Sequence, residues 1–157
     1  MIAIKKILVP TDFSEPSEIA VRYAKEFAAT FQAALHVLTV VEENAMMYAW
    51  TSPEGAPVSL ANLRVEMEKN AREQINHILT DEERRKYKAQ LVTLVGSPFV
   101  EIVRYAKSQE IDLIVMGTHG RGPIAHMLIG SVAEKVVRKA PCPVLTVRHP
   151  EHEFVMP

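Results

Sequence analysis

The sequence predicts a doubly wound α/β fold, a five-stranded parallel sheet with helices on both faces, and three observations carry that prediction. Short β-branched apolar runs recur along the 157 residues, longer stretches with helical spacing separate them, and the runs lack polar–apolar alternation. Strands without alternation are covered on both faces, and strand–helix alternation builds a parallel sheet through right-handed crossovers. Ligands of such folds bind beyond the carboxyl ends of the strands, where the strand order reverses.

"KKILVPTD" (5–12) reads as a first buried strand ending at Pro10. Ser14 then stands where it can cap a helix in which Ile19, Tyr23, Phe27 and Phe31 recur every four positions beside Ala20, Ala24 and Ala28, a single core-facing stripe. "LHVLTVVE" (35–42) is the second strand and "LVTLVGSP" (91–98) the third, with a helix expected from about Ser59 to Leu79 between them. Ser97-Pro98 supplies a cap and a first-turn proline for a helix that faces inward through Phe99, Ile102, Val103 and Ala106. "IDLIVMG" is the fourth strand, "SVAEKVVRKA" the fourth helix and "PVLTVR" the fifth strand. Residues 1–150 are expected to form one domain and 151–157 a tail. Residues 43–58 are too long for an ordinary connection, and read either as a lid over a ligand or as an irregular loop packed by Met46, Met47, Tyr48 and Trp50.

Composition excludes some functions. A formal charge of -1 supplies no broad basic face for sequence-independent binding of nucleic acid. No apolar run approaches the ~20 residues of a membrane span, and the lysines of "MIAIKKILVPTD" do not suit a signal sequence. The single cysteine, Cys142, flanked by Pro141 and Pro143, reads as a small hydrophobe in a reducing compartment, so a cytoplasmic location is expected.

The segment "GTHGRGPIAHMLIGS" (117–131) carries the chemistry. Gly117 closes the fourth strand, where a missing side chain allows either close approach of a ligand or a positive φ. Gly120 repeats that permission, and Gly130-Ser131 precedes helical sequence, where free N–H groups and the helix dipole favour an anion. Two readings of Ser131 stand side by side: a phosphate contact, or a capping box with Glu134 that needs no ligand. The upstream glycines Gly117, Gly120 and Gly122 favour the phosphate. Gly130 stands where a P-loop needs lysine, and "VPTDFSEPS" lacks the glycines of a dinucleotide fingerprint. Arg121 either neutralises a phosphate or stays solvated, and His119 and His126 lack partners at metal spacing.

Together "ILVPTDFSE", "DLIVMGTHGRG" and "LIGSVAEKVVRKAPCPVLTVR" resemble the universal stress protein family over nearly the whole chain. ATP-binding members carry Gly, two residues, Gly, nine residues and then Gly-Ser or Gly-Thr, which Gly117, Gly120, Gly130 and Ser131 match without a gap. The resemblance implies a sheet of order 3-2-1-4-5, of the adenine nucleotide alpha hydrolase-like type, so that Pro10, Thr11 and Asp12 face Met116 and Gly117 across the switch point. It implies that Asp12 meets the nucleoside, that the backbone at Val40 or Val41 meets adenine, and that Gly117, Gly120, Gly130, Ser131 and Val132 take the phosphates, flanked by His119 and Arg121. Asp12 has a second reading, a turn toward the Ser14 cap. The implied ligand is ATP, with AMP or cyclic AMP as relatives and Mg2+ entering only through the phosphates. The resemblance also points to a homodimer through Val144–Arg148, an apolar edge strand that the tail would otherwise have to shield.

The leading expectation is therefore an ATP-binding regulatory protein of stress physiology. A nucleotidyl transferase or ATPase is disfavoured by the lack of a phosphate-loop lysine, an evident base or paired carboxylates, so hydrolysis is expected to be slow or absent. A nucleotide-free dimerisation or adaptor module is disfavoured by the intact glycine spacing.

Overall fold

A computed structural model of the chain describes residues 2–42, 60–118 and 130–148. Loop 43–58, the sites His119, Gly120 and Arg121, and the tail lie outside the described residues.

The strands are β1 (Lys6–Pro10), β2 (Ala34–Glu42), β3 (Gln90–Gly96), β4 (Leu113–Gly117) and β5 (Val144–Val147). All adjacent pairs are parallel and the order is β3-β2-β1-β4-β5. The chain moves outward from β1 through β2 to β3 and then returns to β4 on the other side of β1, so the switch point lies between β1 and β4. Alternation along each strand divides the core in two. Ile7, Val9, Leu35, Val37, Leu113 and Val115 point to one side, and Leu8, Leu38, Ile114 and Met116 to the other. Burial on both sides is why β1 and β4 are continuous apolar runs: Ile7, Leu8, Val9, Ile114 and Val115 are all 0% exposed.

Helix α1 (Glu15–Phe31) covers the first side through Ile19, Ala20, Val21, Ala24 and Ala28. The anticipated aromatic stripe is only partly right. Tyr23 and Phe31 are 50% and 42% exposed, and the inward face is the row of alanines, whose small side chains let the helix sit close to the sheet. Phe27 packs at the margin of that core and stacks on Phe31.

Helix α2 (Leu60–Asn76) ends before the anticipated Leu79, and a further short helix, α3 (Asp81–Lys86), follows. Sequence reading expected one helix here and the described residues form two, because Thr80 starts a new one. The Thr80 hydroxyl accepts from the Glu83 N–H at 3.2 Å while the Glu83 carboxylate accepts from the Thr80 N–H at 3.0 Å, a reciprocal capping box. Glu83 also meets Lys25 of α1 at 2.6 Å, and these contacts hold its carboxyl below the ordinary value.

Helices α4 (Pro98–Ser108) and α5 (Ser131–Lys139) cover the second side through Ile102, Ala106, Ala133 and Val136. The turn into α4 passes through Gly96 at φ +151, a conformation other residues rarely adopt. Within this core the imidazole of His36 lies 2.8 Å from the Tyr105 hydroxyl. Burial, aided by nearby Lys6, lowers the His36 pKa, and burial raises that of Tyr105.

At the edge where the strands begin, the Asp112 carboxylate accepts from the backbone N–H groups of Lys5 and Lys6 at 2.8 and 2.9 Å. That clasp joins the starts of β1 and β4. It places Asp112 at the opposite edge from the strands' carboxyl ends.

Candidate functional site

The cavity at the carboxyl ends of the strands has a volume of about 620 Å3, within the usual span of small-molecule sites. Its floor is built by the ends of three strands: Pro10 of β1 with Thr11 and Asp12 after it, Val40 and Val41 in β2, and Met116 and Gly117 in β4. One wall is the first turn of α5, entered through Gly130, Ser131 and Val132. Ten of the thirteen anticipated site residues therefore line one cavity, and His119, Gly120 and Arg121 lie outside the described residues.

The turn that presents Asp12 is braced by its own polar side chains. Thr11 extends the pairing of β1, its N–H donating to the Leu38 carbonyl at 2.8 Å, and its buried hydroxyl lies 3.0 Å from that of Ser17. The Asp12 Oδ1 accepts from both the N–H and the hydroxyl of Ser14. This is the turn that was the second reading of Asp12, and it coexists with Asp12 lining the cavity. Ser14 stands at the N-cap position of α1 but its side chain makes no capping bond, because the hydroxyl is engaged with Asp12. Phe13, at φ 63, takes the left-handed conformation that lets the chain reverse here.

Of the two uses anticipated for the missing side chain of Gly117, a positive φ is not adopted, and packing supplies a further one. A Cβ there would lie 2.9 Å from the carbonyl oxygen of Pro16, so the glycine lets the first turn of α1 pack against the end of β4. The segment that follows is closed at its ends: the Thr118 N–H donates to the Val147 carbonyl at 3.0 Å, and the Gly130 N–H donates to the Thr118 carbonyl. Both glycine-bearing ends are thereby brought to one side of the cavity.

The capping box anticipated between Ser131 and Glu134 does not form. Gly130 is the N-cap, so the helix starts one residue too early for the Ser131 side chain to close the box, and Glu134 pairs instead with Arg138 at 2.9 Å. Gly130 itself has φ -67 and ψ 156, ordinary extended backbone. Gly130 brings no side chain to cap α5, and the first N–H groups of the helix, at Ser131, Val132 and Ala133, precede the first helical acceptor and belong to residues that line the cavity. They and the dipole of the nine-residue helix are a source of positive potential, since the charged residues among the described lining are Asp12 and Glu42. An anion on the α5 side and hydroxyl or amine donors on the Asp12 side suit this arrangement.

Sequence reading missed one wall altogether. Met67, Asn70, Ala71 and Gln74 of α2 line the cavity, with Pro98 and Ile102 of α4. The signal was present, because positions 67, 70, 71 and 74 follow the one-face spacing of a helix. Cys142 is partly buried beside the second core, and burial, with Asp112 nearby, raises its thiol pKa, which disfavours the reactive thiolate. Among the described residues no group of His, Cys, Asp or Glu side chains is placed to hold a metal, and no helix is long and apolar enough to cross a membrane.

The chain is similar to known proteins along almost all of its length. It is 33% identical over 156 residues to universal stress protein MJ0577 of Methanocaldococcus jannaschii, with 92% of this chain and 94% of the relative aligned. The solved structure of MJ0577 superposes with a TM-score of 0.81, covering 94% of this chain and 98% of that one. Universal stress protein UspA from Lactobacillus plantarum superposes at 0.71 and 28% identity, over 93% and 99% of the two chains. A universal stress protein solved in complex with cAMP superposes at 0.59 and 26% identity, over 93% and 98%. The model of the universal stress protein family matches residues 3–148, and with these relatives it shows that the chain belongs to that family.

Proposed function

We propose that this chain is an adenine nucleotide-binding regulatory protein of stress physiology, acting in the cytoplasm, with ATP as its ligand. The observation that carries the reading is the 620 Å3 cavity with the N-terminus of α5, entered through Gly130, on one side and Asp12 on the other. In this reading the N–H groups of Ser131 and Val132 bind phosphate oxygens beside Gly117 and Gly130. Asp12 accepts from the ribose hydroxyls or the adenine amine, and the backbone at Val40 or Val41 meets the base. His119, Gly120 and Arg121 would complete the phosphate side, and Mg2+ would enter with the phosphates.

Two or three charge-assisted hydrogen bonds at about 1.5–3 kcal/mol each, with burial of adenine and less the cost of ordering, give a Kd in the micromolar range. Titration calorimetry with ATP should show that affinity in the wild type. Gly130→Val should lose it while keeping the native circular dichroism, because the Gly130 backbone is one that valine adopts whereas its branched side chain crowds the mouth of α5. Absence of heat and of any thermal shift at millimolar ATP contradicts the reading. The relative solved with cAMP supports a second reading, AMP or cyclic AMP, which the same titration run with each nucleotide separates from ATP.

The proposed assembly is a homodimer through Val144–Arg148. β5 is an edge of the sheet, and its odd-numbered residues turn their backbone groups toward β4, since Ile114 donates to Pro143 and Thr118 to Val147. The outward groups are then those of Val144 and Thr146. Sedimentation should give about twice 17.6 kDa, and Thr146→Pro, which removes an outward donor, should shift the mass toward that of the monomer. A wild type that stays monomeric at hundreds of micromolar contradicts the dimer.

A further inference from the structure

The α2 wall of the cavity is the part to which neither the sequence motif nor the reading above gives a role. Met67, Asn70, Ala71 and Gln74 form one face of α2 and all four line the cavity. Met67 and Ala71 pack beside Val41 and Val95, which fixes this face over the ends of β2 and β3. Asn70 and Gln74 are exposed at the rim, and neither side-chain amide makes a hydrogen bond among the described residues. An amide carries a carbonyl acceptor and two N–H donors. The cavity thus has a patch of flat apolar surface flanked by two unengaged donor–acceptor groups, one helical turn apart.

Strand order locates that patch relative to the anion side. The N-terminus of α5 follows β4, Asp12 follows β1, and the α2 face stands over the end of β2. β2 is two strand spacings from β4, about 10 Å, which is a reach suited to a nucleotide that crosses β1 with its sugar between anion and base. Neither Asn70 nor Gln74 bears a charge, and the helix end that attracts anions is on the far side of the cavity, so a phosphate is poorly served here. The edge of a heterocyclic base is well served, because a side-chain amide offers the paired donor and acceptor that the adenine amine and its neighbouring ring nitrogen complement.

Building on the adenine nucleotide reading, we infer that Asn70 and Gln74 are specificity-determining residues that read the hydrogen-bonding edge of the base, with Met67, Ala71 and Val41 against its face. The test compares ATP with inorganic tripolyphosphate, which has the anion and lacks the base, by calorimetry on the wild type, on Gln74→Met and on the double variant Asn70→Leu/Gln74→Leu. Both positions are exposed and leucine and methionine favour helix, so the melting temperature should hold. The expected result is that ATP binds the double variant about tenfold more weakly than the wild type, and Gln74→Met by an intermediate factor, while tripolyphosphate binds all three alike. ATP affinity that is unchanged in the double variant, or that falls in step with tripolyphosphate, overturns the inference and leaves the nucleotide site standing. A wild type that binds tripolyphosphate as tightly as ATP also overturns it, and one that binds neither overturns both this inference and the reading it rests on.

Discussion

The two edges of the sheet use an aspartate in similar ways and differ in what surrounds it. Where the strands begin, Asp112 takes two backbone N–H groups and the Lys6 ammonium donates to the Gln109 carbonyl at 2.8 Å, so the polar groups are satisfied by the chain itself. Where the strands end, Asp12 braces Ser14 and also lines a cavity, opposite the first turn of α5, whose N-cap Gly130 has no side chain to offer. Polar groups satisfied by the chain stabilise a fold, and a helix N-terminus beside a cavity is a place that suits an anion. The difference suits the first edge to stability, and under the proposed function it is the second that binds.

The largest expected effect comes from removing each aspartate in turn. Asp112→Ala leaves two N–H groups of β1 without their acceptor and should cost about 1–2 kcal/mol of stability, with ATP affinity unchanged. Asp12→Ala should weaken ATP about tenfold at a smaller cost in stability. Denaturant melts and calorimetry on both variants check this, and equal losses of affinity in the two would erase the distinction between the edges.

A smaller effect tests a group that belongs to neither edge. Burial lowers the His36 pKa from its ordinary 6.5, so the folded state prefers the neutral ring more strongly than the unfolded chain does. The unfolded chain then binds the extra proton first, and the stabilising contribution present above pH 6.5 is lost as pH falls from there toward the folded value. His36→Leu should flatten that part of the stability–pH curve and leave ATP affinity at pH 7.5 in place. Retention of the full slope in the variant would assign it to other groups.

What the sequence disclosed follows from how local each determinant is. β1 and β4 were legible because burial on both faces forces continuous apolar runs, whatever the neighbours. Asp12, Gly130 and Ser131 could be placed beside one cavity because each stands next to a strand or helix end that the local sequence marks. Tyr23 and Phe31 misled because aromatic residues every fourth position resemble a core stripe, whereas close helix–sheet packing selected the alanines beside them. The box at Ser131 and Glu134, one of the two readings of Ser131, fails by a single residue, since the helix begins from Gly130, while the same pattern at Thr80 and Glu83 went unremarked and is formed. A demand on Gly117 that the sequence did not show comes from Pro16, far upstream, a contact that exists only once α1 lies against β4. Asn70 and Gln74 were hidden likewise, because only the packing of α2 over β2 and β3 turns an exposed helix face into a cavity wall.

The most direct measurement of the central claim is the amide NMR spectrum of the protein titrated with ATP, which reports both edges at once. Saturable shifts should concentrate on Asp12, Val40, Val41, Thr118, Ser131, Val132 and Ala133, with Lys5, Lys6 and Asp112 unmoved. Shifts centred on Lys5, Lys6 and Asp112, or none at millimolar ATP, would contradict the assignment of binding to the carboxyl edge.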